Sequence, residues 1–133
     1  MAKRMKLKSE ERKKNKDTRP TAHARYIRIS PTKVRAVIDT VRGKSVNEAL
    51  AMLKFTPKSA AEAVYKVIAS AATNAEHNNN LSKDQLYVAE IFADCGPILK
   101  RMQPVSKGRG HRINKRTSHI TAILDTMDAK EVK

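Results

Sequence analysis

The feature that most constrains the fold is the basic segment GPILKRMQPVSKGRGHRINKRTSHI, residues 96–120. It holds seven Lys and Arg residues and no Asp or Glu. Strand-like sequences stand on both sides of it, LYVAEIFA from Leu86 and THITAIL up to Leu124. Pro104, Gly108 and Gly110 cluster near its middle, as is typical of a turn. The pattern predicts one long antiparallel β-hairpin over residues 86–124, with its turn near 104–110.

A hairpin of this length cannot lie along its own domain. Each arm has roughly 18 residues and spans about 55–60 Å at about 3.3 Å per residue. The rest of the chain folds into a globule of only about 30 Å. An isolated two-stranded ribbon is marginally stable in water, and seven like charges destabilise it further. The outer half of the hairpin is therefore predicted to keep its shape only inside a polyanion that surrounds it.

The positions of the charges support this prediction. The chain has 133 residues, a length that fits one domain, and carries 28 Lys and Arg against 13 Asp and Glu, a net charge of +15. Residues 1–25 and 95–124 each carry +7, so the remainder is nearly neutral. A neutral body with two basic segments indicates a nucleic acid, an acidic protein or an anionic membrane as partner.

Several features favour a nucleic acid in the cytoplasm. No apolar run has the length of a membrane-spanning helix, so no membrane partner is expected. The N-terminal sequence lacks the apolar segment of a secretory signal. The single cysteine, Cys95, fits a reducing compartment. The five aromatic residues all lie outside the basic segment, which argues against stacking on single strands and favours a folded RNA.

The remaining segments predict a small α+β domain. Residues 1–21 have no apolar periodicity and are interpreted as a flexible basic arm, disordered without its partner. The sequence AHARYIRI, 22–29, alternates as a half-buried strand does, with an interruption at Tyr26. Helix starts are indicated at Ser30-Pro31, at Ser45 in a capping box, and at Thr56-Pro57. We predict three helices packed on a small antiparallel sheet, with one long protruding β-hairpin, in a single domain over 22–125 and a tail over 126–133.

Three stretches resemble the family of bacterial large-subunit ribosomal protein twenty-two. They are ISPTKVRAVIDTVRGKSVNEAL, the Ala-rich helix ending SAATNAEHN, and GPILKRMQP..KGRG.RI.KRTSHIT. The resemblance implies a body on the outer surface of the large subunit near the polypeptide exit. It also implies a hairpin that threads through the RNA and lines the nascent-chain tunnel, forming the narrow part with the fourth large-subunit protein. Family members contact several rRNA domains and act early in assembly.

The sequence departs from the family pattern in two places. Val105-Ser106 stands where the family usually has Arg-Ala, which removes one charge from the tip. The N-terminal arm is longer than in many members, and the resemblance assigns it no role. The expected partners are large-subunit rRNA, other large-subunit proteins and the nascent polypeptide, with no homo-oligomer.

The candidate RNA-binding residues fall into three sets. The hairpin cations are Lys100, Arg101, Lys107, Arg109, Arg112, Lys115 and Arg116. The body cations are Arg25, Arg28, Lys33, Arg35, Arg42 and Lys44. The residues expected to line the tunnel at the tip are Leu99, Lys100, Arg101, Met102, Lys107, Gly108 and Arg109. For Arg35 the alternative is an ion pair with Asp39 at helical spacing.

Neither catalysis nor metal binding is predicted. The sequence has no Gly-rich phosphate loop before a helix and no nucleophile–base constellation. His111 and His119 stand about 26 Å apart on an extended strand, too far to share an ion with each other, and Cys95 adds no zinc spacing. We expect no enzymatic activity, no cofactor and no metal.

One alternative from another class is an architectural DNA-binding protein with β-ribbon arms. Such proteins are small, basic and cytoplasmic, and they bind duplex DNA through the minor groove. They are obligate dimers, so a stable homodimer that prefers duplex DNA would favour that function. A regulatory RNA-binding role away from the ribosome also stays open.

Overall fold

The computed structural model describes residues 2–15 and 17–127. The predicted tail beyond residue 127 lies outside the described residues, as do residues 1 and 16 of the arm. Along the chain the elements are helix α1 (Ala2–Lys14), strand β1 (Thr21–Ile27), helices α2 (Pro31–Val41), α3 (Val46–Phe55) and α4 (Ser59–Asn79), a 3₁₀ helix (Lys83–Gln85), and strands β2 (Leu86–Cys95), β3 (Leu99–Pro104), β4 (Gly110–Lys115) and β5 (Ser118–Thr126).

Strand β5 is the centre of the main sheet. The strand order is β1-β5-β2, and both neighbours pair with β5 in antiparallel fashion. Side chains alternate between the two faces of a strand, so every second residue of β5 points to the helices. Ile120, Ala122 and Leu124 are fully buried, as the alternation in HITAIL predicts.

Helices α2, α3 and α4 cover one face of this sheet, in agreement with the predicted α+β fold. Their buried stripes follow the 3.6-residue period: α2 buries Val34, Val37, Ile38 and Val41, and α4 buries Ala60, Val64, Val67, Ile68, Ala71 and Ala75 among others. Pro31 is the first residue of α2, and the Ser45 hydroxyl accepts a hydrogen bond from the Glu48 backbone amide at 3.3 Å. The predicted helix starts at Pro31 and after Ser45 are therefore confirmed.

The predicted hairpin is present, but it consists of two ladders separated by a joint. The inner ladder pairs β2 with β5, from Leu86↔Thr126 to Cys95↔Ser118, and belongs to the domain. The outer ladder pairs β3 with β4, from Leu99↔Lys115 to Pro104↔Gly110, and its turn lies where the sequence predicts it. The joint consists of residues 96–98 on one side and residues 116–117 on the other. Three residues therefore face two, and the register shifts by one residue there.

The joint is fixed by hydrogen bonds between its two strands. Gly96 donates its backbone N–H to the Thr117 carbonyl at 2.9 Å, and the Thr117 hydroxyl donates to the Pro97 carbonyl at 2.7 Å. A Cβ atom at residue 96 would lie 2.4 Å from the Thr117 Oγ1 atom, closer than any real contact. Glycine at 96 is therefore required by this close approach, and the joint sets the direction in which the outer ladder leaves the domain.

Within the N-terminal arm, Ala2–Lys14 forms helix α1. Lys, Arg, Glu, Met, Leu and Ala make up nearly all of it, and these are the strongest helix formers. Apolar periodicity does not indicate this helix, because it reports packing and not intrinsic propensity. The described side chains of α1 are all exposed, so this helix adds nothing to the core.

Residues 17–20 attach the arm to the sheet. The Arg19 guanidinium forms salt bridges with Asp17 at 2.6 Å and with Glu90 of β2 at 2.9 Å. The hydrogen bonds from Arg19 lower the pKa of the Asp17 carboxyl from 3.8 to about 2. The Leu124 backbone amide donates to the Pro20 carbonyl at 2.9 Å, which extends the β1–β5 pairing toward the N-terminus.

We predict that Ile120→Asp unfolds the domain. Ile120 is fully buried on the helix side of β5, and a carboxylate there would be an unpaired charge in the core. The expected loss of unfolding free energy is about 3–5 kcal/mol, measured from the urea midpoint.

Ile123→Asp is the matched control for this substitution. Ile123 lies on the same strand but points to the open face and is only partly buried. We expect Ile123→Asp to retain the folded domain with a much smaller shift of the midpoint. Equal losses for the two variants would contradict the assignment of the core face.

Candidate RNA interface

The hairpin cations all lie on the part of the chain that leaves the domain. Lys100 and Arg101 lie on β3, Lys107 and Arg109 in the turn, Arg112 and Lys115 on β4, and Arg116 in the joint. All seven are exposed, and none of the salt bridges found in residues 2–15 and 17–127 includes any of them. The protein therefore leaves these charges for a partner to neutralise.

The register places cations on both faces of the outer ladder. Side chains of directly paired residues lie on the same face of a ribbon, and the faces alternate along the strands. Arg101 pairs with Ile113 and Leu99 with Lys115, so Arg101 and Lys115 share one face. Lys100 pairs with Asn114 and Met102 with Arg112, which puts Lys100 and Arg112 on the other.

The turn presents its backbone and its cations at the end of the ribbon. Val105 donates its backbone N–H to the Arg109 carbonyl at 2.9 Å, which closes the loop. Lys107 and Gly108 both have positive φ, 59° and 68°. That conformation suits glycine and is uncommon for lysine. Met102, on β3 near the turn, is 73% exposed.

Two of the body cations are hydrogen-bonded to the edge of the sheet. Arg35 donates from Nε and Nη2 to the Ala93 carbonyl, at 3.1 and 2.9 Å, and Arg42 donates from Nη2 to the Ile91 carbonyl at 3.0 Å. Strand β2 is an edge strand, and these arginines cover its outward carbonyls. The sequence alternative, an Arg35–Asp39 ion pair, is wrong, because Asp39 pairs with Arg42 at 2.9 Å.

The other body cations differ in how far they are paired. Lys44 forms a salt bridge with Glu48 at 2.6 Å. Arg25, Arg28 and Lys33 are exposed and have no side-chain hydrogen bond or ion pair with any described residue. Arg25 lies in β1, and Arg28 follows the Ile27 that pairs with Ser118 at the base of the hairpin. Arg25 and Arg28 therefore continue the positive region of the hairpin onto the domain.

A contact between Tyr26 and His119 lies beside the joint and is not predicted from the sequence. The Tyr26 backbone amide donates to His119 Nδ1 at 2.9 Å, and the two rings meet edge-on with centroids 4.9 Å apart. Tyr26 has a φ of 58° in the bulge of β1 and is 64% exposed. The interruption of the alternation at Tyr26 was the signal for this bulge. The dipeptide Gly96-Pro97 was the corresponding signal for the joint.

The described part of the chain was searched for clusters of metal ligands and for membrane-spanning helices. Residues 2–15 and 17–127 contain no cluster of three or more His, Cys, Asp or Glu that could hold a metal ion. None of the helices in these ranges is long and apolar enough to cross a membrane.

Comparison with known proteins identifies the family. The model of the family described as ribosomal protein L22p/L17e matches residues 22–125. A protein named large ribosomal subunit protein uL22 from Desulforamulus reducens is 56% identical over 110 residues, 83% of this chain and 96% of the relative. Proteins of the same name from Desulfitobacterium hafniense and Clostridium novyi are 57% and 55% identical over 77% of this chain and 90% and 93% of their own lengths. The predicted resemblance is confirmed, and the chain belongs to the ribosomal protein L22p/L17e family, whose members are structural and not enzymatic.

Proposed function

We propose that this protein is a structural constituent of the large ribosomal subunit in the cytoplasm, where it binds large-subunit rRNA through the hairpin and assists early subunit assembly. The observation that carries the proposal is the distribution of the seven hairpin cations. They are exposed, they lie on both faces of a ribbon, and they have no acidic partner in the described part of the chain.

The cations on the two faces of the ribbon are all neutralised only if anions lie on both sides of it. A ribbon that lay on a flat polyanion would neutralise only one face and leave Lys100 and Arg112, or Arg101 and Lys115, facing water. A folded RNA offers phosphates in several directions around a narrow channel. The ribbon is therefore proposed to pass between RNA segments and so to contact several rRNA domains.

The base of the hairpin is proposed to add contacts from the domain. Arg25, Arg28 and Lys33 are exposed and unpaired, so their charges are available to phosphates. Arg35, Arg42 and Lys44 hold protein partners at the same time, and their remaining N–H groups are proposed to make weaker contributions.

The tip is proposed to line the nascent-chain tunnel. Residues 99–109 lie farthest from the domain and bury nothing in its core, so their side chains are free to form a wall. Together with the fourth large-subunit protein, the tip would form the narrow part of the tunnel, with the domain near the polypeptide exit. The side chains concerned are Leu99, Lys100, Arg101, Met102, Lys107, Gly108 and Arg109.

We predict that binding to large-subunit rRNA depends steeply on salt. If each of the seven hairpin cations meets a phosphate, log K falls against log[salt] with a slope of about −5 to −6 from the hairpin alone. The triple variant Arg112→Gln, Lys115→Gln, Arg116→Gln should lower the magnitude of the slope by about 2–3. Filter binding across a salt series gives the slopes.

Lys66→Gln is the matched control for the salt series. Lys66 is an equally exposed cation, but it forms a salt bridge with Glu62 on α4, away from the hairpin. We expect its slope to equal that of the unmodified protein. A total slope near −1, or equal changes for the control and the triple variant, would show that the hairpin charges are solvated.

We also predict that deletion of Leu99, Lys100 and Arg101 leaves folding and subunit incorporation largely intact while it changes nascent-chain stalling. The deletion shortens β3 but leaves the inner ladder and the joint untouched. Incorporation into assembled subunits and stalling on test peptides are measured on the same preparation.

The double substitution Lys100→Gln, Arg101→Gln separates shape from charge in this test. It removes the same two charges without shortening the ribbon. Failure of the deletion to incorporate would mean that the tip anchors the protein. Unchanged stalling on every peptide would mean that the tip does not line the path.

A further inference from the structure

The N-terminal helix α1 is the largest charged feature that the proposed function does not use. Its 13 residues carry seven Lys and Arg and two Glu, and the matched family region begins only at residue 22. The domain buries none of the described side chains of α1, and no salt bridge found among them links α1 to the domain. The helix is therefore a basic surface that is free of the domain, in a protein whose hairpin is proposed to lie in RNA.

The arrangement of side chains on α1 determines which partner fits. Met5 and Leu7 are 74% and 53% exposed. They are two residues apart, so they are rotated by about 200° and point to nearly opposite sides of a helix with 3.6 residues per turn. The cations are likewise distributed around the whole circumference. A lipid surface or a partner helix would require an apolar stripe along one side, which α1 does not have. A polyanion that is bound through charge fits this surface.

The attachment of the arm determines where this surface lies. Residues 17–20 are held by the salt bridge from Arg19 to Glu90 and by the hydrogen bond from the Leu124 amide to the Pro20 carbonyl. Thr21 pairs with Ile123, whereas the hairpin leaves the sheet next to Ser118. The arm and the hairpin therefore leave the sheet at opposite ends of strand β5.

The lengths of the arm and of the hairpin limit how close α1 comes to the hairpin tip. Measured along β5 and β4, the path from the attachment point of the arm to the tip of the ribbon is about 45 Å. Helix α1 is about 20 Å long, and the three residues that follow it add about 10 Å. The arm is therefore shorter than the path along the strands to the tip.

We propose that α1 is a second rRNA-binding element of this protein, which holds a segment of large-subunit RNA distinct from the one around the hairpin tip. The inference rests on the proposed function, since it takes the large subunit as the setting. It makes the domain a connector between two RNA segments, with a basic element at each end of β5. A 13-residue helix is marginally stable alone in water, so contact with phosphates also stabilises its helical form.

The test is directed cleavage of rRNA from single cysteines. Cys95 is exposed and is replaced by alanine. An iron chelate is then attached to Ser9→Cys on α1 or, in a separate protein, to Ser106→Cys at the turn, and hydroxyl radicals are generated in assembled subunits. We expect a discrete set of cuts from residue 9 that does not overlap with the cuts from residue 106.

The two probes distinguish failure of this inference from failure of the proposed function. Discrete cuts from residue 106 with only diffuse background from residue 9 would overturn the assignment of α1 and leave the hairpin in RNA. The same cuts from both positions would overturn the claim of distinct segments. No cuts from either position would overturn the proposed function, and the inference with it.

A pair of matched variants tests the chemistry of the contact. The quadruple variant Lys6→Gln, Lys8→Gln, Arg12→Gln, Lys13→Gln should lower the magnitude of the salt slope for rRNA binding by about 3. The double variant Met5→Ser, Leu7→Ser keeps every charge and should leave the slope and the affinity unchanged. Weaker rRNA binding by the apolar variant alone would overturn the inference, because the contact would then depend on apolar side chains and not on charge.

Discussion

Strand β5 pairs with a neighbouring strand on each side in the three-stranded sheet, and the core, the hairpin and the arm all depend on it. Its helix-facing residues Ile120, Ala122 and Leu124 are fully buried. Its first residues continue into the joint and the outer ladder, and the Leu124 amide holds the arm. One strand thus holds the points at which both basic segments join the domain, residues 17–20 of the arm and the joint of the hairpin.

The two edges of the sheet show how the chain divides its cations between protein and partner. On β2, Arg35 and Arg42 are bonded to carbonyls that would otherwise form an open edge. On the hairpin, none of the seven cations has an acidic partner among the described residues, and the seven charges repel one another. A protein that neutralised its hairpin internally would need acids in residues 96–120, and there are none. Under the proposed function, the RNA around the outer ladder supplies its stability.

Much of the fold could be predicted from the sequence, because the signals that indicate its elements are local. The buried face of β5, the helix starts at Pro31 and after Ser45, and the turn near 104–110 each follow from spacing or from a residue type. The partner of Asp39 could not be predicted, since Arg35 and Arg42 are both within helical reach of it. Only the three-dimensional structure shows that Arg35 is bonded to the Ala93 carbonyl and that Arg42 pairs with Asp39. Helix α1 could not be predicted from apolar periodicity, because its residues have a strong intrinsic helix propensity but form no apolar stripe. The one-residue shift at the joint depends on a close contact between Gly96 and Thr117 across the two strands.

The central claim is that residues 99–115 form a stable ribbon only within RNA. Amide hydrogen exchange of these residues, measured in the free protein and in the assembled large subunit, tests it most directly. The account predicts rapid exchange across β3 and β4 in the free protein, slow exchange in β2 and β5 of the same sample, and strong protection of β3 and β4 in the subunit. Protection of β3 and β4 in the free protein, or rapid exchange in the subunit, would contradict the account.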